Sequence, residues 1–150
     1  MYKKKQWPLT LYYDGQCPLC AREVQILKRS ALETRLVLVD ISHGGFDAKA
    51  LGFTLDQMQG SLHARFDDGS WVTGLDATLW SWRAAGLGGW AAPLSWRPIR
   101  PFLALGYRLF CRIRPHLGWL PHPDGSRRCR DNRCTVSQPD SASAHRFTKR

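Results

Sequence analysis

Residues 9–27 read LTLYYDGQCPLCAREVQIL, a pattern that predicts a short strand, a tight turn and then an amphipathic helix. The first five residues are apolar or favour strands, Asp14-Gly15 is a turn signal, and from Pro18 onward the apolar residues recur with a helical period. Proline suits the first turn of a helix, because its missing N–H costs nothing there and its fixed φ fits. The helix is therefore predicted to begin at Pro18, which places Cys17 at its N-terminus.

The two cysteines of this stretch are predicted to differ in environment. At Cys17 the unpaired N–H groups and the positive end of the helix dipole stabilise a thiolate, so we expect an exposed sulfur with a lowered pKa. The other thiol begins the row that the helix buries, which consists of Cys20, Val24, Leu27 and Ala31. This asymmetry suits disulfide exchange, in which Cys17 attacks a substrate disulfide and Cys20 resolves the mixed disulfide.

A spacing of three between cysteines also fits two buried thiols that merely pack, or part of a metal site. The first alternative is disfavoured because Cys17 follows the polar residues Asp14, Gly15 and Gln16. The second alternative, a carrier that holds copper or zinc between the two cysteines, normally needs further ligands and has a different pattern around the pair. We predict no bound metal and no cofactor.

DGQCPLC resembles the Asp-x-x-Cys-x-x-Cys signature of the DCC family, a family of predicted thiol-disulfide oxidoreductases. The likeness covers about residues 9–115, since the strand LVLVD, the segment LHARFDDGSWVTGLDA with its Trp-rich helix, and a stretch containing YRLF follow in that family's order. CPLC also looks like the CPYC of glutaredoxins. The resemblance implies a thioredoxin-like fold and roles for Cys17, Cys20 and Asp14. We expect Asp14 either to cap the turn or to take up a proton from the resolving thiol, and we prefer the turn role.

The residues up to 89 complete a βαβαββα order. The run RLVLVDI at 35–41 predicts a strand buried beside a parallel neighbour, and weak helical turns follow at 47–51 and from Thr54, where Gln57 completes a capping box. A hairpin is predicted at 62–73, and Asp76 is expected to cap a helix that ends near Gly86. This is the thioredoxin and glutaredoxin layout.

Two loops of this predicted core bear on the site. His43 follows the second strand and could lie near the cysteines, although a solvated loop residue is the simpler interpretation. Thioredoxins place a cis-proline before the hairpin strand, whereas this chain has Gln59-Gly60-Ser61-Leu62 there. The resemblance therefore gives no basis for predicting that the backbone of a substrate pairs with the chain at that position.

Residues 90–120 predict a helical extension to the core. On a helical wheel, an apolar stripe faces away from Arg108 and Arg112; it consists of Phe102, Leu105, Leu109, Phe110 and Ile113. We expect this stripe to pack on the sheet or on a partner, and peripheral membrane contact through residues 101–114 is the alternative. Cys111 lies off the stripe and is interpreted as incidental.

Residues 121–150 are predicted to be a basic, largely disordered tail that follows a single domain at 1–120. The tail holds Cys129 and Cys134, for which three interpretations stay open: idle thiols, a local disulfide or shuttle to the dithiol, and zinc bound with His116 and His122.

The composition and charge of the chain restrict the class of protein further. The chain has 150 residues, is 43% hydrophobic and carries seven tryptophans, as expected for a globular domain. Its net charge of +10 is split equally, because residues 1–124 carry 15 Lys/Arg against 10 Asp/Glu and residues 125–150 carry 7 against 2. A dedicated nucleic-acid-binding domain is thus disfavoured.

With no signal peptide or spanning segment recognised, we predict a cytoplasmic oxidoreductase of the protein-disulfide reductase type. Its partners would be protein or small disulfides, such as that of glutathione, and a membrane-peripheral protein with little turnover is the rival.

Overall fold

A mixed sheet forms the centre of the computed structural model, which describes residues 7–30, 35–117 and 119–123. Its strands are β1 (Leu9–Tyr13), β2 (Leu36–Asp40), β3 (His63–Phe66) and β4 (Trp71–Thr73), in the order β2-β1-β3-β4. Strands β1 and β2 are parallel, whereas β3 pairs antiparallel with both β1 and β4. The predicted parallel pair extended by a hairpin is confirmed.

The helices connect and cover these strands. They are α1 (Pro18–Ser30), α2 (Leu55–Gly60), α3 (Leu75–Ala84), α4 (Ala92–Ser95) and α5 (Arg100–Ile113), with 3-10 turns at Lys49–Leu51 and Arg114–Leu117. The predicted capping box of α2 is present, because Thr54 Oγ1 accepts from Gln57 N and Gln57 Oε1 accepts from Thr54 N. None of the helices within the described residues is long and apolar enough to cross a membrane.

The start of α3 differs from the prediction. Asp76 does not cap this helix; α3 instead follows Gly74, whose φ of 59° lies in a region that other residues rarely adopt. The Asp76 carboxylate pairs with Arg100 at the start of α5. The Asp76 side chain therefore forms an ion pair between two helices instead of the local cap that the sequence predicts.

Each face of the sheet has its own apolar cluster, because successive residues of a strand point to opposite faces. On one face α1 and α3 cover the sheet, and the buried residues there include Leu9, Leu11, Leu27, Ala64, Phe66 and Ala77. On the other face Tyr12 packs with Ile41, Ala48 and Met58 from the β2–β3 connection. Covering helical segments on both faces is the thioredoxin-like arrangement that the sequence predicts.

The apolar stripe of α5 does not pack on the sheet, so that part of the expectation is wrong, whereas packing on a partner stays a prediction. Phe102, Leu105, Leu109 and Ile113 are exposed, and only Phe110 of the predicted set is half-buried. The helix is attached through a different side, where Tyr107 Oη accepts a hydrogen bond from Leu62 N at 3.0 Å. This contact holds the Tyr107 side of the helix against the core.

Candidate active site

The turn between β1 and α1 is fixed by a carboxylate from the neighbouring strand. Asp40 ends β2 directly beside Tyr13 in the parallel register, and its Oδ1 accepts from Gly15 N at 2.9 Å. The same oxygen accepts from the N–H and hydroxyl of Ser42 at 2.9 and 2.6 Å. A Cβ atom at Gly15 would lie 2.0 Å from Asp40 Oδ2, so any side chain at position 15 would force the Asp40 carboxylate to move.

Asp14 supports the turn from the other side. Its Oδ1 accepts from Gln16 N at 3.0 Å, a local hydrogen bond typical of aspartate in turns. Its Oδ2 accepts from Arg114 Nη2 at 3.1 Å, and both side chains are about nine-tenths buried. The preferred role of Asp14 as a turn residue agrees with these contacts.

Cys17 lies immediately before α1, with Pro18 as the first helical residue. Its N–H donates to Asp14 O at 3.1 Å, its carbonyl accepts from Ala21 N at 2.9 Å, and its Sγ accepts from Cys20 N at 3.4 Å. The predicted exposure of Cys17 is wrong, because only 5% of the residue is exposed. The C-terminal segment lies close enough to the turn for Arg114 to pair with Asp14 and His122 with Gly15, and these long-range contacts could not be seen locally.

The two thiols differ in acidity in the direction that the sequence predicts. The pKa of Cys17 is lowered to about 6, chiefly by a hydrogen bond from the Cys20 thiol; burial opposes this, and the Cys20 N–H and the charge of Arg114 lower the pKa further. The pKa of Cys20 is raised, because its proton is held in the hydrogen bond to Cys17 and because the thiol is buried. Both cysteines are free thiols. At neutral pH, Cys17 is therefore the ionised partner.

Arg114 was not predicted from the sequence as a site residue. It follows α5, a hundred positions after Asp14, yet it faces Asp14 and both cysteines. The pKa of its guanidinium is raised although burial opposes this, because Cys20, Cys17 and Asp14 all favour the cation. Nothing local distinguishes this arginine from Arg112, so only the folded chain identifies it.

Two more side chains were not predicted to lie near the turn, although His122 was considered as a zinc ligand. His122 lies beyond the predicted end of the domain at residue 120, and its Nε2 lies 2.8 Å from Gly15 O. Glu23 follows Cys20 by one turn of α1 and accepts from Trp82 Nε1 of α3 at 2.9 Å. Burial raises the pKa of this carboxyl group. The hydrogen bond also ties the cysteine-bearing helix to α3.

The remaining predicted candidates lie elsewhere or outside the described residues. His43 is an exposed loop residue, as its simpler interpretation says. Cys111 is half-buried beside Tyr107, on the inward side of α5. Cys129 and Cys134 lie outside the described residues. No group of three or more His, Cys, Asp or Glu side chains that could hold a metal ion occurs in the described part of the chain.

The sheet order, the covering helices and a Cys-x-x-Cys pair at the start of α1 define a thioredoxin-like α/β protein with a dithiol site. The chain belongs to the DCC1-like thiol-disulfide oxidoreductase family, whose profile matches residues 11–120. A general role in thiol-disulfide oxidoreduction follows from this membership.

A curated relative matches most of the chain. The protein is 30% identical over 114 residues to a chloroplastic protein of Arabidopsis thaliana that is itself uncharacterized. The match covers 75% of this chain and 53% of the plant protein, so the chain spans about half the length of that relative. No solved structure matches the sequence.

Proposed function

We propose that this protein exchanges disulfides through Cys17 and Cys20, with Cys17 as the nucleophile and Cys20 as the resolving thiol. The observation that carries the proposal is the contact between the two residues. The N–H of Cys20 lies 3.4 Å from Cys17 Sγ, and the Cys20 thiol also donates to that sulfur. Two donors and the nearby Arg114 hold the negative charge on Cys17, and the thiolate is the reactive form of a cysteine.

The exchange has two steps. The Cys17 thiolate attacks one sulfur of a substrate disulfide, so that a mixed disulfide forms and the other substrate sulfur departs as a thiolate. Once Cys17 is no longer an anion, the hydrogen bond that retained the Cys20 proton weakens. Cys20 then gives up its proton to the first substrate thiolate or to solvent and attacks Cys17 Sγ, so that the bond between Cys17 and the substrate breaks and the second substrate sulfur departs as a thiolate. The products are a Cys17–Cys20 disulfide and a reduced substrate, which has received two electrons.

Pro18 and Asp14 support this chemistry without taking part in electron transfer. Pro18 begins α1 and is buried, so it holds Cys17 at the helix N-terminus. Asp14 is engaged by Gln16 N and Arg114, which favours the turn role over that of a proton acceptor. Since Cys17 is buried, the residues around the turn must move locally when a disulfide approaches.

We propose protein disulfides or small disulfides, such as that of glutathione, as exchange partners. A cytoplasmic setting would suit them, because thiols are kept reduced there and a Cys-x-x-Cys pair acts in catalysis rather than as a structural crosslink.

Trapping the mixed disulfide tests the assignment of roles. In a background in which Cys111, Cys129 and Cys134 are serine, Cys20→Ser should accumulate an adduct with a model disulfide substrate at Cys17, seen by mass spectrometry of the intact protein. Cys17→Ser should give no adduct and no turnover, because burial still disfavours ionisation of the Cys20 thiol when Cys17 is absent. Equal trapping in both variants, or none in either, would contradict the proposal.

A further inference from the structure

The outward face of α5 is an apolar stripe with no covering element among the described residues. Phe102, Leu105, Leu109 and Ile113 are 74%, 67%, 57% and 43% exposed. Their spacing of three and four places them on one side of the helix. We call these four residues the α5 stripe. Several large apolar side chains exposed in a row are typical of a surface that binds another molecule or a membrane.

The orientation of the stripe is fixed by contacts on the opposite side of the helix. Tyr107 Oη accepts from Leu62 N, and its ring lies 3.3 Å from the position that a Cβ atom on Gly74 would occupy. Arg114, the residue directly after the stripe ends, is paired with Asp14 of the dithiol turn. Rotating α5 to bury the stripe would break both polar contacts, so the stripe stays outward in the folded protein.

The charged side chains that α5 itself carries are all positive. No acidic residue occurs between Asp76 and Asp124, while Arg108 and Arg112 are exposed on α5 itself. On the helix these arginines lie at the edge of the stripe rather than opposite it, which corrects the helical-wheel prediction. Exposed tryptophans, Trp96 and Trp119, flank α5 along the chain. Apolar residues edged by arginine and accompanied by tryptophan are typical of helices that lie in a membrane interface.

We propose that α5 is a membrane-interfacial helix that docks the protein on an anionic lipid bilayer. The stripe would enter the boundary between headgroups and acyl chains, and Arg108 and Arg112 would meet the anionic headgroups. With 14 residues, α5 is about 21 Å long, which suits a helix lying in the plane and not one spanning the hydrocarbon. This inference does not depend on the proposed exchange chemistry.

Two other possible partners of the α5 stripe are less compatible with the positive charge of this helix. A second copy of the chain would bring arginine against arginine across a symmetric interface. The chain beyond the described residues is itself basic, with 7 Lys/Arg against 2 Asp/Glu in residues 125–150, and offers few apolar side chains to cover the stripe. A surface of opposite charge is the better complement.

Vesicle binding of the full-length protein tests the proposal. The protein should pellet with vesicles of phosphatidylcholine and phosphatidylglycerol, and much less with phosphatidylcholine alone. Leu105→Ser and Leu109→Ser should each weaken the partition roughly tenfold, since each removes an apolar side chain from the buried face. Arg108→Gln and Arg112→Gln should each weaken it about fivefold and make it less sensitive to salt.

Matched variants elsewhere on the surface serve as controls. Leu55→Ser removes a leucine that is 41% exposed on α2, and Arg29→Gln removes an exposed arginine in the last turn of α1; neither should change binding by more than twofold. Circular dichroism checks that all variants fold. No binding to anionic vesicles would overturn the proposal. So would undiminished binding of the Leu variants, which would indicate contact through the basic tail. A concentration-dependent dimer abolished by the Leu variants would instead make a second copy the occupant.

Discussion

Arg114 is the residue that links the end of the chain to its reactive centre. Its guanidinium contacts Asp14 and lowers the pKa of Cys17 by its charge. The helix N-terminus and the Cys20 donors act on the same sulfur. Activation of Cys17 therefore combines a local contribution from α1 with a distant one from the residue that follows α5.

Replacing Arg114 should reduce the reactivity of Cys17. Arg114→Gln removes the positive charge and weakens the hold on Asp14, so the pKa of Cys17 should rise from about 6 toward that of an ordinary thiol. The midpoint of iodoacetamide alkylation against pH, read at Cys17 by mass spectrometry, measures this.

Arg108→Gln, on the outer side of the same helix, is the matched control for Arg114 and should leave the midpoint unchanged. If Arg114→Gln also leaves it unchanged, the dithiol and the helix terminus alone set the acidity.

At the scale of elements, the β1–α1 turn depends on the β2 strand beside it. Asp40 accepts three hydrogen bonds through one oxygen, and any side chain at position 15 would force that carboxylate to move. The parallel pairing of β1 and β2 thus serves both to build the sheet and to shape the loop that presents Cys17.

Gly15→Ala should destabilise the fold, because its Cβ would overlap the carboxylate of Asp40 and force the turn apart. We expect a loss of about 1–3 kcal/mol in the free energy of unfolding, measured by urea denaturation. Gly44→Ala is the matched control, since a Cβ atom there meets nothing within 4 Å and its stability should stay within about 0.5 kcal/mol of wild type. Equal stability of the two variants would mean that the turn relaxes around the added methyl group.

At the scale of the whole molecule, the dithiol makes the stability of the reduced protein depend on pH. The pKa of Cys17 is lower in the folded state than in the unfolded chain, so its contribution is complete above the unfolded value of about 8.5 and is lost as pH falls through about 6. The pKa of Cys20 is raised on folding, so its contribution is complete below about 8.5 and is lost at higher pH.

The free energy of unfolding of the reduced protein should therefore rise between about pH 6 and 8.5 and fall above that range. The rise should be on the order of 2 kcal/mol after allowance for solvent screening. Urea titrations under a reductant at several pH values measure it. Cys17→Ser should remove most of the rise, and an equal rise in this variant would mean that Cys17 is not its source.

The sequence alone determined the strand, turn and helix around the cysteines, the order of strands and helices along the chain and the capping box of α2. Those features depend on periodicity and on contacts between near neighbours, and the order of acidity of Cys17 and Cys20 follows from the helix that carries them. Tertiary structure alone decided that Arg114 reaches Asp14, that Cys17 is buried and that the α5 stripe faces outward. Each depends on a contact between residues tens of positions apart, because Tyr107 and Arg114 anchor α5 through its less apolar side. A helical wheel ranks faces by hydrophobicity and cannot show where a buried hydrogen bond or ion pair will form.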